Sequence, residues 1–128
     1  MSADPRELCP CGTGATYGDC CGRYHSGAAV APTAEALMRS RFSAFAVGDP
    51  EHLLRTWHPS TRPARLDLDG GRRWTRLEVL TRSGGGLFDA EGRVEFRAHS
   101  ERGGRAEVLH EDSRFVREGG RWLYVGPA

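Results

Sequence analysis

The stretch GRVEFRAHS, residues 92–100, alternates apolar and polar side chains without interruption. One side carries Val94, Phe96 and Ala98, and the residues between them are charged. A period of two is that of a β-strand with one face on a core and the other in water. Residues 92–100 are therefore predicted to form a half-buried strand.

Further strands are predicted on both sides of this one, with glycine-rich turns between them. Residues 74–81 come before it, and residues 105–117 and 122–125 follow it. The segment 105–117 is expected to be bulged or bent, because its apolar positions do not stay on one face. Residues 65–69 alternate more weakly and would add another strand. Strands joined by short glycine turns form an antiparallel meander.

Two helices are predicted before the strands. Thr33 is a good N-cap for the first helix, and Gly48 is a natural residue just beyond its end. The apolar stripe of this helix consists of Leu37, Met38, Phe42 and Phe45. Asp49 can cap a second, shorter helix with Pro50 at its first position, and Pro59 ends the helical region. Helices followed by antiparallel strands indicate an α+β fold, with a curved sheet wrapped over the helices.

The composition argues against several classes of function. The chain has 128 residues, with 18 basic residues, all arginine, and 17 acidic ones, so its formal net charge is +1. This balance argues against direct nucleic-acid binding, and the basic segment 62–76 is interpreted as a solvated turn. Without lysine there is no Schiff base and no P-loop lysine. No apolar run is long enough for a signal peptide or a membrane span, so no membrane association and a cytoplasmic location are expected.

All four cysteines lie within the first 21 residues, in the pattern C-x-C-x8-C-C formed by Cys9, Cys11, Cys20 and Cys21. In a reducing cytoplasm, clustered cysteines are more often metal ligands than disulfides. Four thiolates complete a closed, structural site, for which zinc is the first expectation, and iron suits the same sulfur tetrahedron. Disulfides, free thiols and a site in which His25 replaces one cysteine are the alternatives.

The chain divides into two parts by composition. Residues 1–31 are rich in glycine and cysteine and hold too few aliphatic side chains for a core, so a bound metal would supply the free energy that folds them. Residues 32–128 contain the predicted helices, strands and apolar stripe. The predicted organisation is a metal-binding knuckle at 1–31 followed by one domain at 32–128.

The residues around the cysteines match a specific motif. LCPCGTG at residues 8–14 and YGDCC at residues 17–21 resemble the SEC-C motif, a zinc-binding segment named after the C-terminus of the preprotein translocase ATPase. That motif often carries lysines where this chain has Ala15 and Thr16, so adhesion of this knuckle to phosphate is not expected. The resemblance implies a protein partner, an export chaperone or the ribosome.

A second resemblance covers essentially the whole chain. The matching segments are residues 20–27, 31–45, 56–63, 110–117 and 120–125, which resemble the YchJ-like family, also called UPF0225. The resemblance implies an NTF2-like domain, in which helices form a cone against a strongly curved antiparallel sheet, with the SEC-C knuckle at its N-terminus. It implies no particular biochemical activity.

An NTF2-like cone often encloses a cavity, and six residues are candidates for a pocket there. They are Arg41, Trp57, His58, Glu95, His110 and Glu111. His110 and Glu111 are neighbours on a predicted strand, so at most one of them faces the cavity. Arg41 lies off the apolar stripe and is expected to pair with Glu95 or Glu111, or else to face an acidic ligand. No catalytic residue can be assigned.

These observations favour a non-enzymatic adaptor, in which the metal shapes the knuckle and the knuckle and cone together bind a protein partner. The alternative is an NTF2-like enzyme or small-molecule binder that uses the cavity of the cone. A metal-handling protein that gives up its ion is disfavoured, because a closed four-thiolate site is not labile.

Overall fold

A computed structural model describes residues 4–128, which contain three α-helices: α1 (Cys21–His25), α2 (Ala34–Val47) and α3 (Pro50–Arg55). The Thr33 side chain accepts a hydrogen bond from the N–H of Ala36, and Asp49 caps α3 in the same way. Gly48, with φ 78°, ends α2 in the left-handed conformation that glycine adopts most readily. None of these helices is long and apolar enough to cross a membrane.

The second half of the described chain is an antiparallel meander of four strands, in the spatial order β1-β2-β3-β4. The strands are β1 (Arg72–Gly84), β2 (Glu91–Arg102), β3 (Arg105–Glu118) and β4 (Arg121–Pro127). The pairing shifts register twice in β1 and once between β3 and β4, at Arg114 and Phe115. Such irregularities bend a sheet and increase its twist. The α+β class is confirmed. The bulge predicted for residues 105–117 is not found there: β3 pairs with β2 in one unbroken register from Arg105 to Val116, and the extra residue at the β3–β4 shift is Val125 of β4.

The prediction of a strand at residues 65–69 is wrong, because this segment is an irregular loop. β1 pairs with β2 alone, and residues 65–69 do not pair with its free outer edge. The two leucines of the segment are only half-buried. The Asp69 side chain accepts a hydrogen bond from the N–H of Gly71, which stabilises a turn just before β1. The first strand starts three residues after Asp69, at Arg72.

The core lies between α2 and the inner face of the sheet. Its buried members are Ala31, Ala34, Leu37, Met38, Phe42, Leu77, Val94, Phe96, Ala98, Phe115 and Trp122. The register shift between Trp74 and Arg76 brings Trp74 onto the core, on the same side of the sheet as Leu77. There its ring lies 6.0 Å from that of Phe42, edge to face.

The chain after α3 covers the open edge of β4. The N–H of Tyr124 donates to the carbonyl of Thr56, and the N–H of His58 donates to the carbonyl of Tyr124, both at 2.8 Å. Residues 56–58 therefore close the sheet at this edge and hold Trp57 against the inner face of β4.

Candidate functional site

The four cysteines form one compact, buried cluster. Their Sγ atoms all lie within 4.8 Å of one another, and those of Cys11 and Cys20 are 3.6 Å apart. All four are free thiols, between 0% and 9% exposed. The spacing of the sequence motif thus brings both cysteine pairs to a single point.

The donor set fits a tetrahedral metal. Metal–sulfur bonds of about 2.3 Å give a tetrahedron whose sulfur–sulfur edges are about 3.8 Å, close to the separations in the cluster. Four soft thiolates suit zinc or iron. The cluster can therefore hold one metal ion.

Local backbone hydrogen bonds orient Cys9 and Cys11 toward the cluster. The N–H of Cys9 donates to the carbonyl of Ala15 at 2.9 Å, next to a bridge between Leu8 and Thr16. The N–H of Gly12 donates to the carbonyl of Cys9, and Gly12 has φ 86°, a conformation that side chains other than glycine rarely adopt. The loop from Leu8 to Thr16 folds back on itself in this way, with Cys9 and Cys11 inside it.

Hydroxyl groups and neighbouring thiols surround the sulfur atoms. The Oγ1 of Thr13 lies 3.2 Å from the Sγ of Cys20. Hydrogen bonds from Cys11 and Cys21 lower the pKa of Cys9, whereas hydrogen bonds with Cys11 and Cys9 raise the pKa of Cys21. A divalent cation would replace these shared protons, because metal-bound cysteines are thiolates.

Helix α2 contributes two further contacts to the cluster. The Oγ of Ser43, fully buried, lies 3.4 Å from the Sγ of Cys9. The Nη1 of Arg39 donates to the carbonyl of Cys11 at 2.8 Å, while its Nε donates to Glu35 at 2.9 Å. The knuckle is therefore packed on α2 beside its cysteines, and the carboxylate fixes the arginine that makes one of these contacts.

His25 joins the knuckle to α2 and lies outside the cysteine cluster. Its Nε2 bonds to the carbonyl of Ser40 at 2.8 Å, so this nitrogen carries the proton, since a carbonyl only accepts. Its Nδ1 then accepts from the Tyr17 hydroxyl at 2.5 Å. Burial raises the pKa of Tyr17 to about 12, which keeps the hydroxyl as a donor. Both ring nitrogens are occupied, and the alternative in which His25 replaces a cysteine is not supported.

A second buried histidine, His52, continues this junction. The Ser40 hydroxyl donates to the carbonyl of Leu37 and therefore accepts from the Nε2 of His52 at 2.9 Å. Arg55 donates to the other ring nitrogen at 3.1 Å, and the His25 ring lies 4.6 Å from that of His52. Burial, together with the nearby His25 and Arg55, lowers the pKa of His52 to about 3.

Sequence reasoning missed His52. It sits in a six-residue helix beside the exposed Glu51, a position that normally indicates a solvated side chain. Contacts with Ser40 of α2 and with His25 of the knuckle bury it, and no local sequence pattern indicates those contacts.

A cavity of about 140 Å³ lies between α2 and the sheet, as the NTF2-like resemblance implies. Its wall is mainly aromatic, formed by Phe42, Phe45, Trp57, Phe96, Phe115 and Tyr124. Arg41, Glu111 and Ser113 are the polar residues that line it. Of the six pocket candidates, the structure brings Arg41, Trp57 and Glu111 together here.

Arg41 is only 5% exposed and lies between two aromatic rings. Its guanidinium carbon is 4.9 Å from the centre of the Trp57 ring and 4.4 Å from that of Tyr124. Its Nη1 donates to the carbonyl of Leu53 and to the hydroxyl of Thr56, both at 2.8 Å. Burial lowers the pKa of Arg41 to about 10, so the group stays cationic at neutral pH.

The expected ion pair of Arg41 with Glu95 or Glu111 is wrong for the part of the chain that the structure describes. Tyr124 contacts both groups instead: its ring faces Arg41, and its hydroxyl donates to Glu111 at 2.8 Å. The Ser113 hydroxyl also donates to Glu111. Burial and the bond to Glu111 raise the pKa of Tyr124, so its hydroxyl remains a donor.

The other three pocket candidates lie away from the cavity. Glu95 and His110 pair at 2.7 Å on the outer face of the sheet, so Glu111 is the member of its neighbouring pair that faces inward. His58 bonds to Glu118 at 2.9 Å, beside the end of β3. Their roles in the structure are surface contacts between neighbouring segments.

Comparison with known proteins agrees with this architecture. Residues 33–127 match the family model described as YchJ, middle NTF2-like domain, and residues 6–23 match the SEC-C motif. The solution structure of a SEC-C motif containing protein from Rhodopseudomonas palustris superposes with a TM-score of 0.82 and 36% identity, over 94% of this chain and 96% of that one. Fold and site together define an NTF2-like domain that carries an N-terminal SEC-C cysteine cluster.

Similar proteins show the family to which this chain belongs. A UPF0225 protein of Streptomyces coelicolor is 60% identical over 121 residues, which cover 94% of each chain. Another, from Corynebacterium efficiens, is 60% identical over 124 residues, 97% of this chain and 95% of the relative. This chain belongs to the UPF0225, or YchJ-like, family, as its sequence predicts.

Proposed function

We propose that this protein is a non-enzymatic, metal-binding adaptor whose knuckle and NTF2-like domain together bind a protein partner. Cys9, Cys11, Cys20 and Cys21 would hold a zinc ion, which cross-links the two turns of the knuckle. Four protein ligands leave no open coordination position, so the role of the ion is structural. Free thiols persist in a reducing compartment, which supports a cytoplasmic location.

The observation that carries this proposal is the contrast between two adjacent residues. Cys9 is 4% exposed inside the cluster, whereas Leu8 is 71% exposed on the surface of the knuckle. A large apolar side chain held outward by a fixed backbone is a suitable anchor for a partner, because it buries apolar surface at little entropic cost. The contacts of Ser43 and Arg39 hold this anchor in place relative to the domain.

The partner class follows from resemblance alone. The SEC-C motif is named after the tail of the preprotein translocase ATPase, so we propose an export chaperone or the ribosome as the partner. The exposed anchor is apolar, and the cluster would add net negative charge when loaded, so contact with protein is favoured over contact with phosphate.

The proposed adaptor role can be tested by measuring how the protein binds the proposed partners directly. Ribosomes and the export chaperone would be purified from Streptomyces coelicolor, and their affinity for the metal-loaded protein measured by sedimentation and by surface plasmon resonance. We expect binding to be lost in the double variant Cys9→Ser/Cys11→Ser and weakened in Leu8→Ser. Leu87→Ser, which removes a leucine that is 57% exposed in the β1–β2 loop, is the matched control. Unchanged binding by the double variant, with its sheet still folded, would exclude the knuckle as the interface.

A second candidate function, small-molecule binding in the cavity, is favoured by one observation. A cation that is 5% exposed is held in an aromatic cavity without a direct ion pair in the described residues. Charged groups are costly to bury unless they are paired, so such a site is suited to a ligand. This candidate predicts that the native protein binds small aromatic molecules and that Leu109→Trp, at the mouth of the cavity, prevents it.

A further inference from the structure

We infer that the cavity selects small aromatic carboxylates, with the guanidinium of Arg41 as the group that binds the carboxylate. This inference rests on the second candidate function, binding of a small molecule in the cavity, and names its ligand class.

Arg41 has hydrogen-bonding capacity that the described residues do not use. A guanidinium has five N–H donors, and only Nη1 of Arg41 forms hydrogen bonds within residues 4–128. Among the buried side-chain polar atoms of those residues, Trp57 Nε1 is the one without a partner. The remaining N–H groups of Arg41 are therefore next to accessible space, which the cavity provides.

The charge of Arg41 favours an anionic ligand. Glu111 is the carboxylate in the cavity, and it lies beyond ion-pair distance of Arg41 and already accepts from Tyr124 and Ser113. A ligand anion would be the direct counter-ion of Arg41. Attraction between opposite charges is stronger in a water-poor, aromatic site than in bulk water, so a carboxylate gains more there than a neutral group of equal size.

The size and lining of the cavity favour an aromatic ligand. An apolar cavity of about 150 Å³ accommodates benzene, so a cavity of about 140 Å³ suits one aromatic ring. The ring faces and edges of Phe42, Phe96 and Phe115 allow the edge-to-face contacts that aromatic rings prefer. Leu109, 48% exposed, marks the mouth through which the ligand enters.

The experiment compares two probes of nearly equal size, benzoate and benzyl alcohol, in NMR titrations of the full chain that follow the Trp57 indole signal. Benzoate is expected to bind at least about tenfold more tightly than benzyl alcohol, because only a carboxylate forms an ion pair with the guanidinium of Arg41. Arg41→Met should remove this preference, and Arg41→Lys should keep part of it. Leu109→Trp should prevent binding of both probes, whereas Val108→Trp, at the neighbouring residue on the other face of β3 and 55% exposed, should not.

The possible outcomes distinguish a failure of the proposed carboxylate preference from a failure of small-molecule binding in the cavity. Equal affinity for the two probes would overturn the inference and leave small-molecule binding in place. Failure of both probes to bind at millimolar concentration would overturn both. If Arg41→Met does not fold, the preference of the native protein and the contrast between Leu109→Trp and Val108→Trp still decide the matter.

Discussion

The Sγ atom of Cys9 lies 3.4 Å from the Oγ atom of Ser43, and both side chains are buried. The contact joins a cysteine of the SEC-C knuckle to helix α2 of the NTF2-like domain, 34 residues further along the chain. Groups that hydrogen-bond to a metal ligand orient it and adjust its basicity. The cysteine cluster is therefore in contact with the domain, and Ser43 would orient Cys9 as a metal ligand.

Ser43→Ala should weaken metal binding. The variant removes the hydroxyl beside Cys9 and leaves α2 helical, because alanine is a strong helix former. Loss of such an outer contact typically costs 10–100-fold in metal affinity, so we expect roughly tenfold or more. Competition with a chromophoric chelator measures this, and Ser60→Ala, an exposed serine far from the cluster along the chain, is the control. Equal affinities for the two variants would show that Ser43 does not support the site.

Removal of the metal should unfold the knuckle and leave the sheet intact. The buried cluster of the knuckle consists of the four cysteines, and Ala15 and Tyr17 are the partly buried apolar side chains packed against it in the described residues. The core of the domain is a separate cluster of apolar side chains, so it does not depend on the ion. Hydrogen exchange after chelation should show lost protection in residues 4–25 and retained protection in β2 and β3. Loss of protection throughout would contradict two separate cores.

His52 should make the protein sensitive to mild acid. Its pKa is about 3 when folded and 6.5 when unfolded, so the unfolded chain takes up a proton first as the pH falls. The stabilisation is complete above pH 6.5 and declines at about 1.4 kcal/mol per pH unit toward pH 3. Denaturant titrations at pH 7 and pH 5 should therefore differ by about 2 kcal/mol more in the native protein than in His52→Gln.

The glutamine in this variant keeps a donor for Ser40, and loss of metal at low pH affects both proteins alike. His110→Gln, at an exposed histidine on the outer face of the sheet, should behave as the native protein. A parallel decline in the native protein and His52→Gln would show that His52 does not carry the effect.

Gly92→Ala should destabilise the hairpin that meets the start of α2. A Cβ at Gly92 would lie 2.5 Å from the Cα of Gly85 and 3.2 Å from the Cβ of Ala34. Gly85 cannot move away freely, because its carbonyl accepts from the N–H of Ala34 at 3.0 Å. We expect a loss of about 1–3 kcal/mol in thermal unfolding. Gly70→Ala, whose Cβ would meet nothing within 4 Å, should change little, and similar losses in both would refute the close approach.

Features set by neighbours in the chain could be predicted from the sequence. Thr33 and Asp49 cap their helices because each side chain reaches an N–H three residues on. The alternation in residues 92–100 places Val94 and Phe96 in the core. The cysteine pattern converges on one point because its glycines permit the required turns. All of these follow from local geometry.

Features set by distant contacts could not be predicted. The register shift between Trp74 and Arg76 places the Trp74 ring against the core, on the same side as Leu77, although strict alternation would put these two residues on opposite faces. Residues 65–69 alternate, but a strand needs a partner, and these residues pair with no strand of the sheet. Arg41 was expected beside a carboxylate, and Tyr124, 83 positions later in the chain, takes that place. Such placements depend on how separate elements meet.

A crystal structure of the purified protein, with anomalous data on both sides of the zinc absorption edge, would identify the metal and its ligands together. A zinc site at the cysteine cluster should give one anomalous peak, present only above the zinc edge and surrounded by the Sγ atoms of Cys9, Cys11, Cys20 and Cys21. His25 should keep its bonds to Tyr17 and Ser40. Continuous density between sulfur atoms, marking a disulfide, or the absence of any peak in protein that retains its metal-binding fold, would contradict a zinc site.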